Sequence, residues 1–137
     1  MIEQELINFI KEKSKKIGKR LNLPPIVTEI NLTYDNCSAL GDNRIVIGLN
    51  YIKQYEDKNF HTETTPSDTF LNRVYFIIAH ENAHLLQYYK FPKWFEKYKK
   101  KYSPYLHIKD YAEQKIEKNA SKIASILLKE EENDRKI

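Results

Sequence analysis

The sequence predicts an α+β fold, with a small, mainly antiparallel sheet packed on a long buried helix and a C-terminal helix. Three observations carry this. Apolar residues recur at helical spacing near both ends and across residues 69–89. β-branched, roughly alternating stretches occupy residues 26–49. Pro and Gly separate these segments. With 137 residues the chain fits one domain, 1–137, with a charged tail from about residue 130.

The elements follow in order. Ile2, Leu6, Ile7, Phe9, Ile10 and Ile17 mark an amphipathic first helix, ending near Gly18 or Leu21 and closed by Pro24 and Pro25. Residues 26–34 read as a strand. A second extended segment runs from Cys37 to Leu40, a turn follows at Gly41, Asp42 and Asn43, and a short strand spans Arg44 to Leu49. Tyr51, Ile52 and Tyr55 share one face of a short helix over residues 50–58. Residues 60–67 are polar, contain Pro66 and read as a loop, with Ser67 or Asp68 as N-cap of the next helix. That helix, about Thr69 to Tyr89, is apolar on most sides and so the most buried. Pro92 interrupts it. A basic, aromatic segment runs to Tyr102, and Pro104 makes another break. The final helix spans about Asp110 to Lys129, and the charged tail beyond it is expected to fray.

Composition narrows the function classes. Only 41% of residues are apolar, so the core must be economical, and ten Tyr with six Phe supply much of its bulk. A single Cys37 excludes an internal disulfide and a thiolate zinc knuckle. Glu3, Gln4, Glu5 and Asn8 break any signal-peptide core, and no run approaches the length of a membrane span. The expectation is a soluble cytoplasmic protein without membrane contact. Net charge is +4, which can attract nucleic acid, but no reader motif accompanies it.

His80, Glu81, Asn82, Ala83 and His84 form the most informative stretch, H-E-x-x-H. Two His four residues apart on a helix point the same way and suit one Zn²⁺ with Zn–N arms of about 2.0–2.1 Å. Glu81 projects toward an open coordination position, where it can accept a proton from attacking water. The alternative is a pair of core His satisfied by hydrogen bonds. Two His and a Glu inside a hydrophobic helix are costly without a partner, which favours the metal.

A third ligand must come from elsewhere. Asp110, Glu113 and Glu117 share one face of the final helix. Glu117 is favoured because Ala120 and Ala124 follow it, letting this helix approach the His-bearing helix closely. Glu113, followed by Ile116, could instead hydrogen-bond a ligating His.

The segments Arg73 to His84 (R-V-Y-F-I-I-A-H-E-N-A-H) and Glu117 to Ala124 (E-K-N-A-S-K-I-A) resemble the gluzincin branch of the zincin metallopeptidases. There H-E-x-x-H is followed by a Glu opening E-x-x-A-(D/N)-x-x-A on a later helix. The first segment is also similar to ImmA/IrrE-type peptidases, and residues 36–49 to the sheet-edge region of HtpX-like and minigluzincin domains. The resemblance covers about residues 30–128. It implies a zincin-like fold, a small twisted sheet against an active-site helix and a glutamate helix, and a zinc-dependent endopeptidase acting on protein or peptide. It also implies that substrate adds as a strand beside the sheet edge near Asn36 to Leu40. Ser121 departs from the family's Asp or Asn, which alters support for the metal.

The oxyanion needs a further donor. His107 is the preferred candidate, with Tyr102, Tyr105 and Tyr111 as alternatives, while His61 reads as surface. In the basic segment after Pro92, Trp94, Phe95 and Tyr98 are expected to pack inward. Stacking on nucleic acid and a lid that binds acidic substrate residues are the other readings of that segment. Two further functions compete with the peptidase: a latent zincin-like domain serving as a protein-binding module, its tail filling the cleft, and a basic nucleic-acid-associated protein. The oligomeric state is open.

Overall fold

The computed structural model describes residues 2–40, 43–57, 69–99 and 115–135. Helix α1, Glu3–Arg20, has Glu3 and Glu5 in its first turn and Lys19 and Arg20 in its last, both favourable to the helix dipole. Leu6, Ile10, Ser14 and Ile17 form its buried stripe. It closes on Asn22 in the left-handed region, φ 54°. There the Leu23 N–H reaches the Gly18 carbonyl at 2.9 Å and the Asn22 N–H reaches that of Lys19 at 3.1 Å. These two bonds satisfy the last carbonyls of the helix.

Three strands follow: β1, Val27–Asn31; β2, Cys37–Leu40; and β3, Arg44–Gly48. Their order is β1-β3-β2. β3 takes the centre because it is the most apolar, with Ile45 and Ile47 fully buried. β2 pairs antiparallel with it, as expected of adjacent strands. β1 pairs parallel with it, so the sheet is mixed and not mainly antiparallel. The cause is the connection after β1. The Asn31 carboxamide accepts from the N–H groups of Thr33 and Tyr34 at 3.1 Å each, starting a tight turn. The chain then crosses the end of β3, where the Gly48 N–H donates to the Asn36 carbonyl at 3.0 Å. A Cβ at Gly48 would collide with the Tyr34 and Asn36 carbonyl oxygens, so glycine is required there.

Helix α2, Leu49–Gln54, buries Leu49 and Ile52 against this sheet. Helix α3, Phe70–Lys90, is capped by Thr69, one or two residues beyond the expected Ser67 or Asp68, which lie outside the described residues. The Thr69 hydroxyl accepts from the Asn72 N–H at 3.4 Å. Val74, Tyr75, Phe76, Ile78, Ala79 and Ala83 are all within 1% of full burial. Each large apolar member contributes roughly 1.5–3 kcal/mol, which makes α3 the axis of the core.

Helix α4, Pro92–Lys99, starts with proline at a position that needs no N–H donor. Trp94, Phe95 and Tyr98 are half-buried in it, in keeping with the inward-packing expectation. Phe95 meets Tyr88 of α3 edge-on at 6.0 Å.

Helix α5, Lys115–Arg135, lies along α3 with Ala120 and Ala124 fully buried. Its end does not fray as far as Arg135. Glu131, 2% exposed, accepts from Lys13 of α1 at 2.6 Å, with Lys16 at 3.6 Å and Arg135 at 3.5 Å. Arg20 reaches Asp134 at 2.5 Å, and Arg135 donates to Asn72 of α3 at 2.7 Å. Residues 130–135 are therefore held on α1 and α3, unlike a tail lying in a cleft. No helix among the described residues is long and apolar enough to cross a membrane.

Candidate metal centre

α3 buries most of its length from Arg73 to Gln87, so a polar group there needs a partner from a neighbouring element. His80 and His84, one turn apart, turn toward α5 and meet Glu117. The two Nε2 atoms are 3.1 Å apart. His80 Nε2 lies 2.8 Å from Glu117 Oε2, and His84 Nε2 lies 3.1 Å from Glu117 Oε1. The His side chains are 12% and 13% exposed, whereas Glu117 is 3% exposed. Two nitrogens and a carboxylate thus converge at a point near the surface of a dry helix–helix seam.

The donors fit a metal ion. Four ligands at about 2.0–2.1 Å around tetrahedral zinc lie roughly 3.3 Å from one another. The separations here fall short of that by a few tenths of an ångström, which side-chain rotation supplies. His80, His84 and Glu117 are the one such group among the described residues, with donor atoms all within 4.8 Å of one another.

Electrostatics ties the three together. Burial works to raise the Glu117 carboxyl, but hydrogen bonds from His80 and His84 outweigh it and hold the group well below the ordinary carboxylate range. Burial works against a charged His84, yet the Glu117 carboxylate reverses this and holds the imidazole at about 9. Glu81 is also buried. Loss of water raises its carboxyl above the ordinary value, the two His oppose that, and Glu117 adds to it. Glu81 also helps raise the thiol of Cys37, which is mainly driven up by burial, and edge strand β2, which starts at Cys37, packs against α3.

The outer nitrogens have partners too. Ser121 Oγ is 3.3 Å from His80 Nδ1, so the serine that departs from the resembled pattern still meets His80. Gln87 Oε1 is 2.9 Å from His84 Nδ1. Gln87 was not among the residues the sequence pointed to. Its one signal was a carboxamide three residues after His84 in an apolar helix, the spacing that brings side chains together. Asn82, inside the motif, donates to the Ile78 carbonyl at 3.0 Å and to Ser14 of α1 at 3.3 Å.

Asp110 and Glu113, the other ligand candidates, lie outside the described residues, as do His61, His107, Tyr102, Tyr105 and Tyr111. Comparison of the chain with family models, curated proteins and solved structures finds no match in any of the three. The class is therefore defined by architecture and site alone. The chain is an α+β protein of a three-stranded mixed sheet and helices, with a candidate metal site of His80, His84 and Glu117 shared by two helices.

Proposed function

We propose that this chain is a zinc-dependent metalloendopeptidase of the zincin type, with His80, His84 and Glu117 as ligands and Glu81 as general base. The observation that carries it is the convergence of two imidazole nitrogens and one carboxylate, with a second carboxyl buried beside the pair. Three protein donors are characteristic of catalytic zinc sites, whereas structural ones use four. When bound, the ion supplies Lewis acidity, polarising a carbonyl oxygen and making water a stronger acid.

The protein's own groups perform the rest. Glu81, its carboxyl raised by burial, takes a proton from water as the oxygen–carbon bond forms at the scissile carbonyl. The same proton then passes to the leaving nitrogen as the carbon–nitrogen bond breaks. Substrate lies extended along the outer edge of β2, with main-chain hydrogen bonds supplying register. That edge suits the role because β2 ends the sheet and packs against α3, the helix that carries His80, Glu81 and His84. His107, or one of Tyr102, Tyr105 and Tyr111, donates to the oxyanion in this reading.

The test is a pair of variants assayed with an unfolded protein as substrate. Wild type should contain about one zinc per chain, and His84→Ala should lose it. Glu81→Gln should keep the zinc and lose cleavage by about 10²–10⁴-fold. Fully loaded wild type that cleaves no unfolded protein sinks the peptidase reading.

A further inference from the structure

Gln87 is 1% exposed, and both ends of its carboxamide are engaged. Its Nε2 lies 2.9 Å from the Ile116 carbonyl oxygen and 3.0 Å from Asn119 Oδ1, both on α5. A main-chain carbonyl can only accept, so the carboxamide cannot be turned round without placing oxygen against oxygen. Oε1 is thereby forced toward His84. An amide oxygen can only accept in turn, so His84 must carry its proton on Nδ1 to satisfy the 2.9 Å contact. The lone pair of a neutral His84 is then on Nε2, the atom that faces His80 and Glu117.

Among the described residues nothing comparable fixes His80. The group at its Nδ1 is a hydroxyl, which donates or accepts equally well, and the contact is longer at 3.3 Å. The same carboxamide grips α5 at Ile116, the residue before Glu117. One side chain therefore selects the His84 tautomer and sets the position of the carboxylate ligand.

Taking the three converging donors as a metal site, we propose that Gln87 is its positioning residue, presenting His84 through Nε2 and registering Glu117 against α3. Ser121 serves His80 more weakly, so the site is built asymmetrically. Partners of ligating imidazoles typically account for 10–100-fold in metal affinity.

The experiment measures Zn²⁺ dissociation constants by chelator competition for wild type, Gln87→Met, Gln87→Glu, Ser121→Ala and His84→Ala. Nitrogen-15 spectra of the zinc-loaded imidazoles and thermal unfolding of the metal-free forms accompany it. Gln87→Met keeps the volume and removes all three hydrogen bonds. It should bind zinc about 10–100-fold more weakly and expose the His84 Nδ1–H to rapid solvent exchange, leaving that of His80 unchanged. Gln87→Glu retains the acceptor for His84 but sets an oxygen against the Ile116 carbonyl, so it should recover slow exchange at the His84 Nδ1–H and only part of the affinity. Ser121→Ala should lose less than Gln87→Met.

Wild-type affinity in Gln87→Met with a slowly exchanging His84 Nδ1–H overturns the proposal. So does an equal loss in Gln87→Met and Gln87→Glu without change at the imidazole, which would make Gln87 a packing residue only. The readout is binding, so absent cleavage counts against the peptidase alone. Absent zinc uptake by wild type overturns both readings.

Discussion

Replacing Glu131 with glutamine should weaken the fold and flatten its response to acid. The carboxylate is 2% exposed and lies 2.6 Å from Lys13, itself 16% exposed. Lys16 and Arg135 stand farther off, at 3.6 and 3.5 Å, and are 45% and 40% exposed. Breaking a fully buried pair costs about 3–5 kcal/mol, and an exposed one contributes about 0.2–1 kcal/mol. One mostly buried partner and two exposed ones place Glu131→Gln between these limits, at about 2 kcal/mol at pH 7.

The sign of the pH dependence follows from the direction of the shift. Burial works to raise this carboxyl, but the hydrogen bond and charge of Lys13, with Lys16 and Arg135, lower it below its ordinary value. Its contribution is therefore complete above the unfolded value near 4.5 and is lost as pH falls through the lower folded value. Urea unfolding of wild type and Glu131→Gln at a series of pH values should show a gap of about 2 kcal/mol at neutrality that closes in acid. Zinc affinity should not change, because Glu131 lies roughly 20 Å along α5 from Glu117 at 1.5 Å per residue. Equal stability at pH 7, or a gap that persists unchanged to pH 2, would refute this account of the clamp.

Metal uptake should strengthen with pH. A His84 held at about 9 by Glu117 must release its proton to become a ligand, so affinity should rise about tenfold per pH unit below that value and level off above it. Calorimetry in buffers of different ionisation enthalpy would count the proton. Gly48→Ala should cost about 3 kcal/mol or more, since its Cβ meets two backbone carbonyls that cannot move aside. Chemical denaturation of the metal-free variant checks this. Ala120→Leu should overpack the α3–α5 seam, costing about 1–3 kcal/mol and weakening zinc binding by displacing Glu117. Unfolding and chelator titration of the same sample separate the two effects.

The helices were legible in the sequence because their apolar residues sit on one face over several turns. Leu6, Ile10 and Ile17 announce α1, and the run from Val74 to Ala79 announces the buried axis. The H-E-x-x-H spacing placed two imidazoles on one side of that axis. Ala120 and Ala124 pointed to the seam because a close helix approach needs small side chains. Strand pairing was less accessible. Residues 27–31 read as a strand whichever neighbour they take, and the parallel choice depends on a crossover at Gly48 that no periodicity records. Gln87 was hidden for a similar reason. Its role arises from Ile116 and Asn119 on α5, contacts between segments distant in the chain.

The two helices that meet at His80 and Glu117 are joined by a long intervening segment, the two residues lying 37 positions apart. An ion shared by that pair is also a cross-link. It closes a loop whose free ends would otherwise explore many arrangements in the unfolded chain. Chain-entropy reasoning for a loop of this size gives about 4 kcal/mol, comparable to a disulfide. A protein with one cysteine and a spare core would gain from the ion the staple that its sulfur cannot provide. Metal supply would then govern how long the chain persists, with chelation exposing the α3–α5 seam to any protease that cleaves unfolded chains.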